Sequence, residues 1–189
     1  MGTIPDMTTA ELPKQGRWTY ADYCRIQPDR SRHELIDGRH FVTPAPSPYH
    51  QLVSVRLLHE LMTLVSDRGL GVVLCAPLDV HLGRSTLVQP DLVVLRHRNR
   101  SIIGDTKLTG VPDLLIEILS PSRRAYDRRT KRKRYERAGV REFWLVDPKA
   151  RVVEQLLLRA GTYGAPVISA DRITLRTFRG IQIDLRDIW

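Results

Sequence analysis

Between Pro112 and Ser122 the chain reads PDLLIEILSPS. The six residues from Leu114 to Leu119 are aliphatic with one exception. A run this short and this apolar, bounded by prolines and serines, predicts a strand covered on both faces. It therefore belongs at the centre of a sheet with a layer on either side. The exception is Glu117. A carboxylate among aliphatic neighbours is costly to bury unless something pairs with it or protonates it. Either Glu117 has a structural partner, such as one of the many arginines, or it is there for chemistry.

The rest of the chain supplies the layers. WTYADYCRI predicts a short helix, with Thr19 as N-cap and Asp22 three residues on. HELIDGRHFV predicts two strands around Asp37-Gly38, a hairpin turn pair. SPYHQLVSVRLLHELMTLVSDRG predicts a long helix. Ser47 caps it, Pro48 takes the first position, Val53, Leu57, Leu61 and Leu64 make its stripe, and Gly69 ends it. GVVLCAPLDVHL and LVQPDLVVL follow as strands joined at Gly83-Arg84-Ser85. Residues 96–111 read as a polar loop or lid. DRRTKRKRYERAGV predicts a helix closed by Gly139. REFWLVD, with Trp144 in the core, pairs with RVVEQLLLR, and RITLRTF and GIQIDL are weaker strands. This mixed order predicts an α/β or α+β fold: one mixed central sheet flanked by helices. It reads as a single domain over residues 17–189 behind a flexible lead-in at 1–16.

Charge narrows the partners. Thirty Lys and Arg stand against 21 Asp and Glu, a net charge of +9. That balance favours a polyanion such as nucleic acid, with plain solubility as the competing explanation. No apolar run is long enough for a membrane span, so no membrane partner is expected. The N-terminus lacks the basic start and apolar core of a signal peptide. Cys24 and Cys75 form no CxxC or Cys/His cluster. We read them as reduced, packed thiols and the protein as cytoplasmic.

Alternation places Leu115, Glu117 and Leu119 on one face of the central strand, and Leu114, Ile116 and Ile118 on the other. In QPDLVVL, Asp91 also begins an apolar strand, directly after Pro90. A proline marks a strand start or a bulge, and bulges re-aim side chains. If the two strands are neighbours, Asp91 and Glu117 converge. Converging buried carboxylates share a proton or bind a divalent cation, and hard oxygen ligands favour Mg²⁺. A third group follows from the basic segment Arg123 to Arg137, with nine Lys and Arg and two acids. Tyr135 and Ala138 are its best inward pair, and four residues back from Tyr135 stands Lys131, on the same side. An ammonium there could orient water or stabilise charge developing on phosphorus. The modest alternative for Lys131 is an exposed pair with Asp127.

QPDLVVL, PDLLIEILSPS, YDRRTKRKRYERAGVREFWLVDP, HELIDG and PSPYHQ together resemble the Uma-two family of endonucleases, grouped with the PD-(D/E)XK restriction-endonuclease-like nucleases. The resemblance spans about residues 17–160. Asp91 and Glu117 match the acids of that motif. Leu119 stands where its lysine would be, and Lys131 matches a lysine moved to the following helix. The resemblance also implicates Glu34 and His50 in support, with Gln51 as a weaker candidate. It implies a restriction-endonuclease-like mixed sheet and Mg²⁺-dependent phosphodiester cleavage, with Mn²⁺ as a substitute ion.

The expectation is therefore a Mg²⁺-dependent DNA endonuclease. Asp91, Glu117 and the Ile118 carbonyl hold metal, and Lys131 positions water. Arg123, Arg124, Arg128 and Arg129 grip the DNA backbone. The resemblance further suggests a homodimer. Two other readings stay open: a nucleic-acid-binding or interaction module without useful cleavage, which the leucine at 119 favours, and a hydrolase of smaller phosphate esters. His33, His40, His59, His81 and His97 lack ligand spacing and read as structural.

Overall fold

Leu114–Ile118 is a fully buried strand in the interior of a seven-stranded sheet. The computed structural model describes residues 12–27, 29, 31–120 and 127–189. In chain order the elements begin with helix α1 (Tyr20–Tyr23) and the hairpin β1 (Arg32–Ile36) and β2 (Arg39–Thr43). Helix α2 (Pro48–Leu61) ends in a wider turn at Met62–Ser66 that leads to β3 (Gly71–Cys75). Then come β4 (Val80–Gly83), β5 (Thr86–Val88), β6 (Leu92–Arg96), β7 (Leu108–Thr109) and β8 (Leu114–Ile118). A π-turn at Asp127–Lys131 runs into α3 (Arg132–Ala138). The remaining strands are β9 (Glu142–Asp147), β10 (Val152–Arg159), β11 (Thr162–Tyr163), β12 (Val167–Ser169), β13 (Arg172–Thr174) and β14 (Gln182–Asp184).

The large sheet runs β11-β10-β9-β8-β6-β3, with β12 also on β10. It is mixed because β8 pairs parallel with β9 and antiparallel with β6. The parallel pair needs a crossover, and the basic segment with α3 supplies it. Strand alternation then builds two cores. Leu92, Val94, Leu114, Ile116, Trp144 and Val146 face the α2 stripe of Val53, Leu57 and Leu61. Val93, Leu95, Leu115, Phe143 and Leu145 face Tyr135 and Val140. Each such Leu or Val is worth about 1.5–3 kcal/mol when fully buried.

Several local expectations hold for stated reasons. Thr19 and Asp22 form a reciprocal capping box on α1. Asp37 and Gly38 take φ of 49° and 73°, the doubly left-handed turn that Asp-Gly favours. A side chain at Gly38 would also meet the Gly16 carbonyl at 2.7 Å. Gly139 closes α3 with φ 86°. Gln15 and Gly16 hydrogen-bond the hairpin at His40 and Gly38.

Three expectations are corrected. The strands divide between two larger sheets rather than one, the second being β2-β1-β5-β4-β7. GVVLCAPLDVHL accordingly splits into β3 and β4, and LVQPDLVVL into β5 and β6. The chain changes sheets near Pro77 and Pro90, which cannot donate to a ladder. Residues 96–111 carry a 3-10 turn at His97–Ile102 and the short β7. Cys24 and Cys75 are both exposed, one at the end of α1 and one at the end of edge strand β3, so neither thiol is packed.

Candidate active site

The site starts from a ladder that stops early. β6 and β8 pair with Leu92 opposite Ile116, so the same register sets position 90 opposite Ile118. Pro90 has no N–H to give the Ile118 carbonyl. Asp91 turns its side chain across instead: its Oδ2 accepts from the Ile118 N–H at 2.7 Å. The Ile118 carbonyl is taken by His50 Nε2 at 3.1 Å, and that nitrogen also lies 3.3 Å from Asp91 Oδ2. His50 is in position because Ser47 caps α2, accepting from the His50 N–H at 3.2 Å. The missing strand pairing is thus replaced by a carboxylate and an imidazole.

One residue before Ile118, Glu117 points to the opposite face. Its Oε1 accepts from Lys131 Nζ at 2.8 Å and from the Tyr135 hydroxyl at 2.6 Å. Lys131 and Tyr135 are four residues apart on one helical side, which is why both reach the same oxygen. Lys131 Nζ also lies 2.9 Å from Glu34 Oε1, which accepts from the Gln89 backbone N–H at 2.9 Å. Arg32, two residues before Glu34 on β1, donates from Nη1 to Asp91 Oδ1 at 2.8 Å. Its Nη2 lies 3.8 Å from both Glu34 Oε1 and Glu117 Oε2.

Three carboxylates and two cations therefore share one buried cluster. Glu34, Asp91, Glu117 and Lys131 are all 4% exposed or less. They form one wall of a cleft of about 590 Å³, lined also by Arg32, His50, Gln51 and Ile118. Burial opposes ionisation of Asp91, but the His50 hydrogen bond and the Arg32 charge outweigh it and hold the carboxyl well below the usual range. Burial likewise opposes ionisation of Glu34, and Lys131, Arg32 and the Gln89 N–H more than offset it. Arg32 stays protonated because the three acids overcome its burial. Burial and the neighbouring Glu117 push the Tyr135 phenol far up, so it serves only as a neutral donor.

The structure thus brings together Asp91, Glu117, Lys131, Glu34, His50 and Ile118, with Gln51 on the cleft wall. The four arginines expected on DNA are less uniform. Arg129 is exposed. Arg128 lies 2.5 Å from Glu154 and 3.4 Å from Asp147. Arg123 and Arg124 lie outside the described residues. Sequence reasoning missed Arg32 and the Tyr135 hydroxyl. Both signals were within reach: Arg32 shares a strand face with Glu34 by period two, and Tyr135 shares a helical side with Lys131.

The implied metal can be tested against these donors. Among the described residues no three carboxylate, imidazole or thiol side chains form a ready-made cage. Mg²⁺ does not require one; it is commonly held by one or two carboxylates with water and substrate phosphate. Asp91 Oδ1, Glu117 Oε2 and the Ile118 carbonyl are hard oxygens on residues that line the cleft. The donor set fits.

Asp91 just before β6, Glu117 on the adjacent strand β8 and Lys131 at the entry to α3 thus line one cleft. The family model Uma2, described as "Putative restriction endonuclease", matches residues 19–186. The chain belongs to that family. A solved structure with the same fold is described as a putative nuclease belonging to DUF820 from Anabaena variabilis. The two share 16% sequence identity at a TM-score of 0.76, over 90% of this chain and 96% of that one. Comparison with curated proteins finds no match.

Proposed function

We propose that this protein is a Mg²⁺-dependent endonuclease acting on DNA, with Mn²⁺ able to substitute. The observation that carries the reading is the meeting of Asp91, Glu117 and Lys131 in one cleft, with Lys131 Nζ 2.8 Å from Glu117 Oε1. Asp91, Glu117 and the Ile118 carbonyl are the groups that would hold the cation. When bound, such an ion lowers the pKa of its water and polarises a phosphate oxygen.

The chain's own residues do the rest. Asp91, kept ionised by its neighbours, offers negative charge at neutral pH without first losing a proton. His50 and the Ile118 N–H fix its orientation. Tyr135 and Lys131 fix Glu117 from below, so its second oxygen is aimed rather than free to rotate. Lys131 Nζ lines the cleft beside Glu117, where an ammonium positions water or meets charge developing on the phosphate. Glu34 balances the charge of Lys131 at 2.9 Å. Arg129 and its neighbours on the basic segment supply affinity for the backbone that weakens with salt.

The +9 charge and the family support DNA as the substrate. No helix among the described residues is long and apolar enough to cross a membrane. A homodimer belongs to the same reading through the family resemblance, and cytoplasmic residence through two cysteines that form no CxxC or Cys/His cluster. The test is plasmid cleavage with Mg²⁺, Mn²⁺ or chelator, comparing wild type with Asp91→Ala, Glu117→Ala and Lys131→Ala. Metal-dependent nicking lost in all three supports the assignment. Nicking that persists unchanged in Asp91→Ala removes it.

One observation favours a second reading, a DNA-binding module without turnover. Arg32 and Lys131 already neutralise most of the acid charge. Salt-sensitive DNA binding with no metal-dependent cleavage would select that reading.

A further inference from the structure

The two cations of the cluster are held differently. Lys131 is 2% exposed and makes two short contacts, to Glu34 and Glu117. Arg32 is 24% exposed along its side chain and lies on the cleft wall. Of its five N–H donors, Nη1 makes the hydrogen bond to Asp91. Its Nε and Nη2 are buried with no hydrogen-bond partner among the described residues. The two 3.8 Å contacts to Glu34 and Glu117 are electrostatic, not hydrogen bonds. A planar guanidinium that fits a carboxylate well makes two parallel short bonds. Arg32 spreads over three acids and fits none of them in that way.

Its position is also the position a divalent cation would need. The Asp91 and Glu117 oxygens proposed as ligands, Oδ1 and Oε2, are the ones that face Arg32. Charge counting leads to the same place. Leaving the imidazole aside, Glu34, Asp91 and Glu117 against Arg32 and Lys131 leave one negative charge. Adding a divalent ion with both cations in place gives one positive charge; exchanging Arg32 for the ion gives zero. A buried cluster is least costly near neutrality.

We infer that Arg32 is a displaceable counter-ion: it neutralises the acids before metal enters, and metal entry releases its guanidinium into the cleft to contact a DNA phosphate. The inference rests on the proposed metal site. It gives Arg32 contacts that exchange between two states, and it makes metal uptake the event that assembles the substrate contact.

Two measurements test it, both on the full chain at low salt. The first is calorimetric titration with MnCl₂ of wild type, Arg32→Gln, Arg32→Lys and Asp91→Asn. Removing the competitor is expected to tighten Mn²⁺ binding by about fivefold or more in Arg32→Gln. Arg32→Lys, which keeps the charge, is expected to fall between Arg32→Gln and wild type. The second uses unmutated protein, so it does not depend on a variant folding. Phenylglyoxal labelling of the Arg32 peptide, read by mass spectrometry, is expected to rise when Mn²⁺ is added. Equal or weaker Mn²⁺ binding in Arg32→Gln, or labelling unchanged by Mn²⁺ that does bind, overturns the inference and leaves the metal site standing. Wild type and Arg32→Gln both failing to bind Mn²⁺ overturns the metal site and this inference together.

Discussion

Glu117 on β8 and Glu142 on β9 stand on neighbouring parallel strands and are equally deep, at 2% and 1% exposure. They point to opposite faces, since Glu117 shares its side with Leu115 and Glu142 shares its side with Trp144. Glu142 accepts five hydrogen bonds from neutral donors: Trp144 Nε1, Gln155 Nε2, the Arg176 N–H, and the N–H and hydroxyl of Thr177. These distances run from 2.6 to 3.2 Å, and the donors come from three separate segments. Glu117 is instead met by Lys131, Tyr135 and, at longer range, Arg32, beside a cleft. Depth alone therefore does not distinguish the acid proposed to hold metal from one knotted into the core. What separates the two is whether the partners are fixed neutral dipoles or charges that another ion could replace.

The sharpest break is catalytic. Asp91→Asn or Glu117→Gln is expected to lower Mg²⁺-dependent plasmid nicking by about 10²-fold or more. Glu142→Gln is expected to leave nicking per folded molecule unchanged, because no neutral donor of its knot reaches the cleft. Equal losses at positions 117 and 142 would erase the distinction.

Stability should separate the partners in a second way. Lys131→Ala leaves Glu34 and Glu117 buried without their shared ammonium, and is expected to cost about 3–5 kcal/mol in urea unfolding. Glu142→Ala strands dipoles rather than charges, at about 1–3 kcal/mol or more for the donors left unmet. A Lys131→Ala protein as stable as wild type would mean that the pairing drawn here does not persist in solution.

Acid offers a smaller and more specific probe. The folded carboxyls of Asp91 and Glu34 are both lowered, so each adds stability that is complete above its unfolded pKa. As pH falls below about 4 the unfolded chain takes up protons first, and that stability is lost. The urea midpoint should therefore fall with pH in that range, less steeply in Asp91→Asn. An unchanged slope in that variant would contradict the lowered Asp91.

Much of this arrangement is written in the sequence, because it follows from short-range periodicity. Period two sorted β8 into Glu117 and Ile118 faces, and a four-residue step tied Lys131 to Tyr135. Capping and turn chemistry at Thr19, Ser47 and Asp37-Gly38 needed no knowledge of the rest of the chain. What escaped depended on partners distant in sequence. The division into two sheets is decided where β5 and β6 find different neighbours, and the apolar composition of LVQPDLVVL is the same either way. The knot around Glu142 could not be read locally, because three of its five donors lie 34 and 35 residues onward at Arg176 and Thr177. Period two ties Arg32 to Glu34, but its hydrogen bond to Asp91, 59 residues away, has no local signal.

Tyr135→Phe makes the smallest change and isolates one bond. The ring stays packed edge-on against Phe143, at 4.9 Å between centroids, and loses only its hydroxyl. Glu117 Oε1 keeps Lys131, so no charge is left alone, and the expected cost is about 1 kcal/mol. A merely structural bond would stop there. If the phenol also aims Glu117 Oε2 into the cleft, Mn²⁺ affinity should fall in parallel, measurable by calorimetry on a protein that remains folded. Loss of stability with unchanged Mn²⁺ affinity would reduce Tyr135 to the kind of neutral partner that surrounds Glu142, and would move the working part of the site onto Lys131 and Asp91.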